Sequence, residues 1–185
     1  MNLKVKEDRL ESRVKGVTMK TTPSIWMAVV GLKCEGLKIG KGNIEALVDY
    51  NKITFYKSCM RDQCGIIRGF NVGGSAMNLR IIAFIIVWIM TPRGHVHTVL
   101  HEKDIVLMYC IVNRLRVNEA FVLEEQMQKS KQLVDYKIPY VVLVSNFIEY
   151  FCVPLEGEIV ELVKQNHEVL ATTLHKIGLT KINNE

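Results

Sequence analysis

The sequence predicts a mostly helical, all-α fold with at most a short N-terminal β ribbon. Three observations lead to this prediction: apolar residues recur at helical spacing, capping residues precede these segments, and glycine or proline follows several of them. A chain of 185 residues, 49% of them hydrophobic, can bury one core. We therefore expect one compact domain.

The N-terminal part is predicted to be a basic arm followed by a short helix. The arm comprises residues 1–20, in which Val14 to Met19 forms a short strand. Thr22 and Pro23 then supply a hydroxyl cap and a proline in the first helical turn, and Gly31 ends the helix.

The rest of the N-terminal helical part, residues 21–74, is less regular. A second helix is predicted from Ile44 to Tyr50, whereas Asn51 to Cys64 has no clean period. The segment 65–74, GIIRGFNVGG, is rich in glycine and is expected to be a loop.

A helical core is predicted at 75–182, built around an apolar helix at about 76–90. Ser75 caps this helix, and Pro92 ends it because proline disfavours helical geometry in the residue before it. Almost every residue beyond Arg80 is apolar, which is typical of a helix enclosed by others. We expect it at the centre of the core.

Four more helices are predicted after it. His101 to Asn113 begins with Glu102 and Asp104, as the helix dipole favours. The next helix is capped by Asn118 and has an outer Glu125–Lys129 pair, with an apolar face formed by Ala120, Leu123, Met127 and Val134. The last two are Tyr140 to Phe151, which follows Pro139 and also suits a strand, and a helix within about Glu158 to Ile177 that Gly178 ends.

Charge is concentrated in the N-terminal part of the chain. Residues 1–74 hold 13 Lys or Arg against 7 Asp or Glu, and residues 75–185 hold 11 against 12. The arm's cations are scattered in the sequence, and no recognition helix or aromatic platform accompanies them. These cations are Lys4, Lys6, Arg9, Arg13, Lys15 and Lys20. At most weak, non-specific nucleic-acid binding is expected.

The sequence indicates an intracellular protein, cytoplasmic or nuclear. The first eleven residues alternate charged and apolar side chains and contain no signal peptide. Five cysteines at irregular spacing are typical of reduced thiols. The most apolar run, Ile81 to Met90, is about half as long as a transmembrane helix, so no transmembrane segment is predicted.

The second half of the chain resembles the envelope-like proteins of plant retrotransposons, the plant transposon protein domain family. The resemblance covers residues 75–181 well and 14–74 loosely. Its landmarks are Arg80 with the apolar helix and Thr91-Pro92-Arg93-Gly94, then Ser130-Lys131, Ile138-Pro139-Tyr140, Phe151 to Glu158, and TLHKIG at Thr173 to Gly178.

These landmarks concern packing and turns, and two residues depart from the family pattern. FCVPLEGE stands where the family has a string close to FGVDLEGE, with Cys152 in place of glycine and Pro154 in place of aspartate. A helix end there is expected to be altered, because glycine adopts the left-handed conformation without strain. The N-terminus also looks shorter than in the family, which suggests a fragment or a degenerating copy.

Catalytic, cofactor and metal sites are not predicted. Cys59 and Cys64 with His97 and His101 have spacings similar to a zinc site, but the central helix separates the two pairs. Cys110 and Cys152 lie in apolar sequence surroundings, where a thiol is inert. The acids are assigned to solvated helix faces or helix starts; they are Asp49, Asp62, Glu102, Asp104, Glu124 and Glu125.

The resemblance implies an additional, non-polymerase reading frame of a retroelement without established enzymatic chemistry. We expect a non-catalytic structural or protein-interaction domain with an unknown protein partner. A weak nucleic-acid-binding accessory protein is the alternative, and a metal-dependent enzyme is the third.

Overall fold

The computed structural model describes residues 2–6, 9–40, 47, 49–62, 69–93, 96–132 and 140–159. It is mostly helical with an antiparallel sheet at the N-terminus, which confirms the predicted fold class. The strands are β1 (Asn2–Lys6), β2 (Arg9–Val14) and β3 (Val17–Lys20); the helices are α1 (Pro23–Val30), α2 (Lys52–Cys59), α3 (Met77–Phe84, continuing as a π-helix over Ile85–Met90), α4 (Glu102–Val112), α5 (Glu119–Gln132) and α6 (Val141–Tyr150).

The N-terminal sheet is a three-stranded meander in the order β1-β2-β3. The predicted single strand from Val14 to Met19 is wrong, because the chain reverses at Lys15 and Gly16. Both residues have positive φ, 45° and 84°, and Val14 pairs with Val17. This is the two-residue hairpin geometry that a glycine at the second turn position favours.

Alternation gives this sheet one buried and one exposed face. Leu10, Ser12 and Met19 are buried, whereas Arg13 and Lys20 are exposed. Cations that are scattered in the sequence are aligned by the register: Lys4 and Lys6 of β1, Arg9 and Arg13 of β2 and Lys20 of β3 stand at positions of one face.

Helix α1 follows the sequence prediction at both ends. The Thr22 Oγ1 atom accepts a hydrogen bond from the Ile25 amide at 3.3 Å, and Pro23 opens the helix. Gly31 has φ 71° and ends it in the left-handed conformation. Trp26, on the buried face, meets Phe147 of α6 edge to face at a centroid distance of 5.1 Å.

Helix α2 is an element that the sequence prediction missed. Asn51 accepts from the Thr54 amide at 3.0 Å, and tertiary packing buries Tyr56 and Cys59 in spite of the weak period. Most of the predicted helix Ile44 to Tyr50 lies outside the described residues, as do residues 65–68 of the predicted loop at 65–74. Within that loop, 72–74 form a short 3₁₀ helix.

The apolar helix at 77–90 is present, but its central position is not confirmed. Ile86 and Val87 are buried, whereas Ile85 is 41%, Trp88 50% and Ile89 48% exposed, because neighbouring elements cover one side. The predicted Ser75 cap is wrong, since Ser75 lies in a bridge with Met60 and the helix begins after Ala76. Its end before Pro92 is confirmed.

Helix α4 occupies the core position expected of α3. Ile105, Val106, Leu107, Met108 and Cys110 are each at most 1% exposed. They pack with residues of α2 and α3 and with Val122 of α5. A second cluster joins α1, α5 and α6 through Trp26, Ala120, Leu143 and Phe147.

Helices α5 and α6 confirm two sequence predictions. The Asn118 side chain accepts from the Phe121 amide at 2.9 Å and caps α5. Residues 141–150 are helical despite their β-branched residues, with Ser145 and Glu149 exposed as expected. Val134, Pro139 and the predicted last helix beyond Ile159 lie outside the described residues. Among the helices that the structure describes, none is both long and apolar enough to cross a membrane.

Candidate functional site

Asp104 lies at the start of α4, as predicted, and belongs to a buried polar cluster. It is 2% exposed and sits in the first turn of α4. Its carboxylate accepts from Thr91 Oγ1 at 3.0 Å and from the His101 amide at 2.7 Å, and it pairs with Arg93. Asp104 of α4 thereby holds Thr91 and Arg93 of the string that resembles the family's PRG landmark, and Gln126 of α5 donates to the Pro92 carbonyl at 2.8 Å.

Glu124 is an acid whose predicted place on a solvated helix face is wrong. It is 8% exposed, and its Oε1 atom accepts from Thr21 Oγ1 at 2.6 Å and from Trp26 Nε1 at 2.8 Å. It is buried because Thr21, which follows β3, and Trp26 of α1 pack against this turn of α5. Burial and the nearby Glu124 raise the pKa of the Cys34 thiol, which disfavours the thiolate.

The remaining cysteines divide into buried and exposed ones. Burial raises the pKa of both Cys59 and Cys110, which fits the expectation that Cys110 is inert. The apolar surroundings expected for Cys152 are wrong. It is exposed at the end of α6 with φ 49°.

The four residues considered for zinc are only partly described, because Cys64 lies outside. His97 stacks on Trp88 with ring centroids 3.8 Å apart, and its Nε2 atom donates to the Arg93 carbonyl at 2.7 Å. His101 stands at the start of α4. Within the part of the chain described, no three His, Cys, Asp or Glu side chains converge on a metal-sized space.

An apolar groove of about 420 Å³ lies between the ends of α1 and α4. We call it the α1–α4 groove. Its floor is formed by Met90 and by Leu107, which is fully buried, and its side by Ile111 and Leu115. Four charged residues stand at its rim: Lys33, Glu35, Arg116 and Glu119.

Backbone pairing fixes one wall of the α1–α4 groove. The Leu37 amide donates to the Arg116 carbonyl at 2.8 Å, and the Asn118 amide donates to the Leu37 carbonyl at 2.9 Å. A Cβ at Gly36 would lie 2.5 Å from the Arg116 carbonyl oxygen, so this close approach requires glycine. Backbone atoms therefore hold this wall in place, and its exposed side chains are not needed for it.

Exposed aliphatic side chains extend the α1–α4 groove on the α4 side. Ile111 is 40%, Val112 44% and Leu115 38% exposed. Single exposed apolar residues are common on protein surfaces, but three within five positions beside an apolar depression form a patch. Such patches are typical of binding surfaces.

Comparison with protein-family models, with curated proteins and with solved structures finds no match for this chain. The resemblance to the envelope-like proteins therefore stays a prediction.

Sequence reasoning missed both the buried carboxylates and the α1–α4 groove. Asp104 has one sequence signal, its position three residues after His101 at a helix start. The groove has a weaker one, since apolar residues continue to the end of α4 at Ile111 and Val112 and recur just after it at Leu115. Which of them stay exposed depends on packing.

Proposed function

We propose that this chain is a retroelement-derived, non-catalytic domain that acts through protein contacts, and that the α1–α4 groove is its contact surface. The observation that carries the proposal is that the exposed side chains of Ile111 and Leu115 line the same groove as the buried Leu107 at its floor. A partner's apolar side chains can be desolvated there without unfolding the core.

The occupant that fits best is a short helical segment of a partner protein with apolar residues one turn apart and a basic residue beside them. Gly31, Met90 and Ile111 stand at the C-terminal ends of three helices and line the groove. The last turns of α1 and α4 contain no basic residue. Helix C-termini carry partial negative charge, so a cation from the partner complements them.

The state of the candidate catalytic groups supports a non-catalytic role. Cys34, Cys59 and Cys110 have raised thiol pKa values, which leaves the thiol protonated at neutral pH. Asp104 and Glu124 both accept hydrogen bonds from neighbouring elements. These interactions join parts of the fold.

Selection of peptides on the full chain tests the contact surface. We expect enriched helical peptides with apolar and basic residues, and we expect their affinity to fall at least tenfold for Ile111→Asn or Leu115→Asn, because each substitution removes apolar contact area and adds a polar group. Isothermal titration calorimetry measures this loss.

Ile53→Asn is the matched control, because Ile53 is 54% exposed on α2 and does not line the groove. Circular dichroism verifies that each variant folds. Peptides that bind all three variants equally well would remove the groove from the proposal.

The ancestry has a separate test in the flanking DNA. We expect long terminal repeats or a polymerase reading frame near the gene. A gene lying in an ordinary intron–exon context, without retroelement sequence on either side, would contradict retroelement origin and leave the groove experiment unaffected.

A further inference from the structure

We propose that the outer face of the N-terminal sheet is a docking surface for the phosphate backbone of duplex nucleic acid, bound without sequence preference. This surface lies apart from the α1–α4 groove in the chain and uses different chemistry. We call it the basic sheet face.

The described side chains of β2 and β3 define this face. Arg13, Thr18 and Lys20 are exposed, and Glu11 is partly exposed, whereas the alternate residues Leu10, Ser12 and Met19 are buried. The register pairs Glu11 with Lys20 and Arg13 with Thr18. Directly paired residues of an antiparallel sheet share a face, so these four positions form one surface.

The β1–β2 register extends the basic sheet face across the third strand. Lys4 pairs with Glu11, Lys6 with Arg9, and Asn2 with Arg13. By the same rule these positions of β1 belong to the outer face. Five cationic residues therefore stand at register positions of this face, namely Lys4, Lys6, Arg9, Arg13 and Lys20, and Glu11 is the one acid among these strand positions.

The spacing of these residues suits a polyanion. Positions two apart along a strand lie about 6.7 Å apart, and neighbouring strands lie about 4.8 Å apart. Glu11 approaches Lys20 at 3.7 Å, but the Lys20 side chain remains 59% exposed. The Glu11–Lys20 pair therefore leaves most of the Lys20 side chain open to a polyanion.

Nucleic acid fits this face better than a membrane, because the uncharged positions on it are the small polar residues Asn2 and Thr18. A membrane-binding surface needs apolar or aromatic side chains that enter the lipid, and single-stranded nucleic acid needs aromatic rings on which bases stack. The phosphates of a duplex require only fixed cations. Cations that contact only the phosphates give affinity without sequence preference.

Fluorescence anisotropy with a short random-sequence duplex tests the proposal on the full chain. We expect dissociation constants weaker than about 10⁻⁶ M at physiological salt and tighter binding at about 50 mM salt. If about four phosphates are contacted, the plot of log affinity against log salt has a slope of roughly −4. The double variant Arg13→Gln/Lys20→Gln should reduce the magnitude of that slope by about 2.

Two control variants separate this face from net charge. Lys57→Gln/Arg114→Gln removes the same charge from exposed residues outside the sheet and should leave the slope within about 0.5 of wild type. Arg13→Lys/Lys20→Arg keeps the charge and should keep the slope. Circular dichroism of each variant verifies the fold.

Three results overturn the proposal. They are equal slopes for the sheet variant and the control variant, absence of duplex binding by wild type at low salt, and tighter binding to phosphatidylserine vesicles or polyglutamate than to duplex at the same salt. Nanomolar affinity that differs between duplex sequences also contradicts it, because cations that contact only phosphates carry no sequence information.

Discussion

The basic sheet face and the α1–α4 groove are both open to solvent, and different physical rules determine what each exposes. On the sheet, strict alternation places Arg13 and Lys20 outward and Leu10 and Met19 inward. In the groove, Ile111 and Leu115 are exposed because no described element covers the end of α4. A repeating pattern determines the first surface, and the arrangement of neighbours determines the second.

The largest expected effect comes from breaking the polar cluster that holds the groove floor. Asp104→Asn leaves Arg93 buried beside a neutral group, and we expect a loss of about 3 kcal/mol in the free energy of unfolding. Urea denaturation measures it. Because Leu107 lies one turn after Asp104, we also expect weaker binding of groove peptides, whereas the salt slope of duplex binding by the folded protein should be unchanged.

Glu102→Gln is the control for this prediction. Glu102 lies in the same helical turn, is 58% exposed and pairs with Lys52 at 3.0 Å. An exposed pair contributes little, so a change within about 0.5 kcal/mol is expected. If the two variants lose equal stability, the cluster at Asp104 does not hold the groove floor.

The next effect concerns the attachment of the sheet. Thr21 Oγ1 accepts from the Leu10 amide at 3.1 Å and donates to Glu124 at 2.6 Å. Thr21→Val removes both hydrogen bonds and leaves the buried Leu10 amide without its Thr21 acceptor, so we expect a loss of about 2 kcal/mol, measured by urea denaturation. Thr18→Val on the exposed face is the matched control and should change stability by less than about 0.5 kcal/mol. Equal losses would mean that Thr21 does not anchor the sheet.

A pH-dependent effect of about 1 kcal/mol is expected between α4 and α5. Burial raises the pKa of Glu125, but Lys103 at 2.5 Å and Lys129 at 3.2 Å outweigh it, so the pKa is lowered. Burial also lowers the pKa of Lys103 in spite of this pairing, which keeps the net benefit small.

Because the folded-state pKa of Glu125 is depressed, its stabilisation is complete above the unfolded pKa and is lost as pH falls through the folded value. Wild type should therefore exceed Glu125→Gln in stability by about 1 kcal/mol at pH 7, with the difference shrinking below about pH 4. Thermal unfolding across this pH range measures it. A difference that stays constant with pH would point to altered packing.

The smallest effect lies outside both surfaces, at the end of α6. Cys152 has φ 49°, and the amides of Cys152 and Val153 donate to Glu149 and Ile148 at 2.9 and 3.0 Å. This is a left-handed helix end that favours glycine. Cys152→Gly should therefore raise the free energy of unfolding by about 0.5 to 1 kcal/mol. Cys152→Ala should change it by less, and equal gains would assign the effect to loss of the thiol.

Local signals in the sequence predicted the elements whose stability is largely local. Thr22, Pro23 and Gly31 define α1, Asn118 caps α5, and Pro92 stops the apolar helix as expected. At Cys152, where the sequence predicts an altered helix end, the backbone keeps the left-handed conformation in spite of the cysteine. Each of these residues acts on backbone atoms within a few positions of itself.

Sequence reasoning did not predict contacts between distant positions. Asp104 meets Arg93 and Glu124 meets Thr21 and Trp26 only when the helices pack. Helix α4 takes the central position in place of the more apolar α3. Apolar content shows which residues can be buried, but it does not show which side of a helix a neighbouring element will cover.

The sequence by itself determined the helical class, most helix ends and the alternation that makes a strand two-faced. Tertiary structure decided the sheet register, which gathers the scattered cations on one face, and the meeting of the ends of α1 and α4 that forms the groove. The physical reason is range: capping and periodicity act over one or two turns, whereas register and burial depend on residues far apart in the chain.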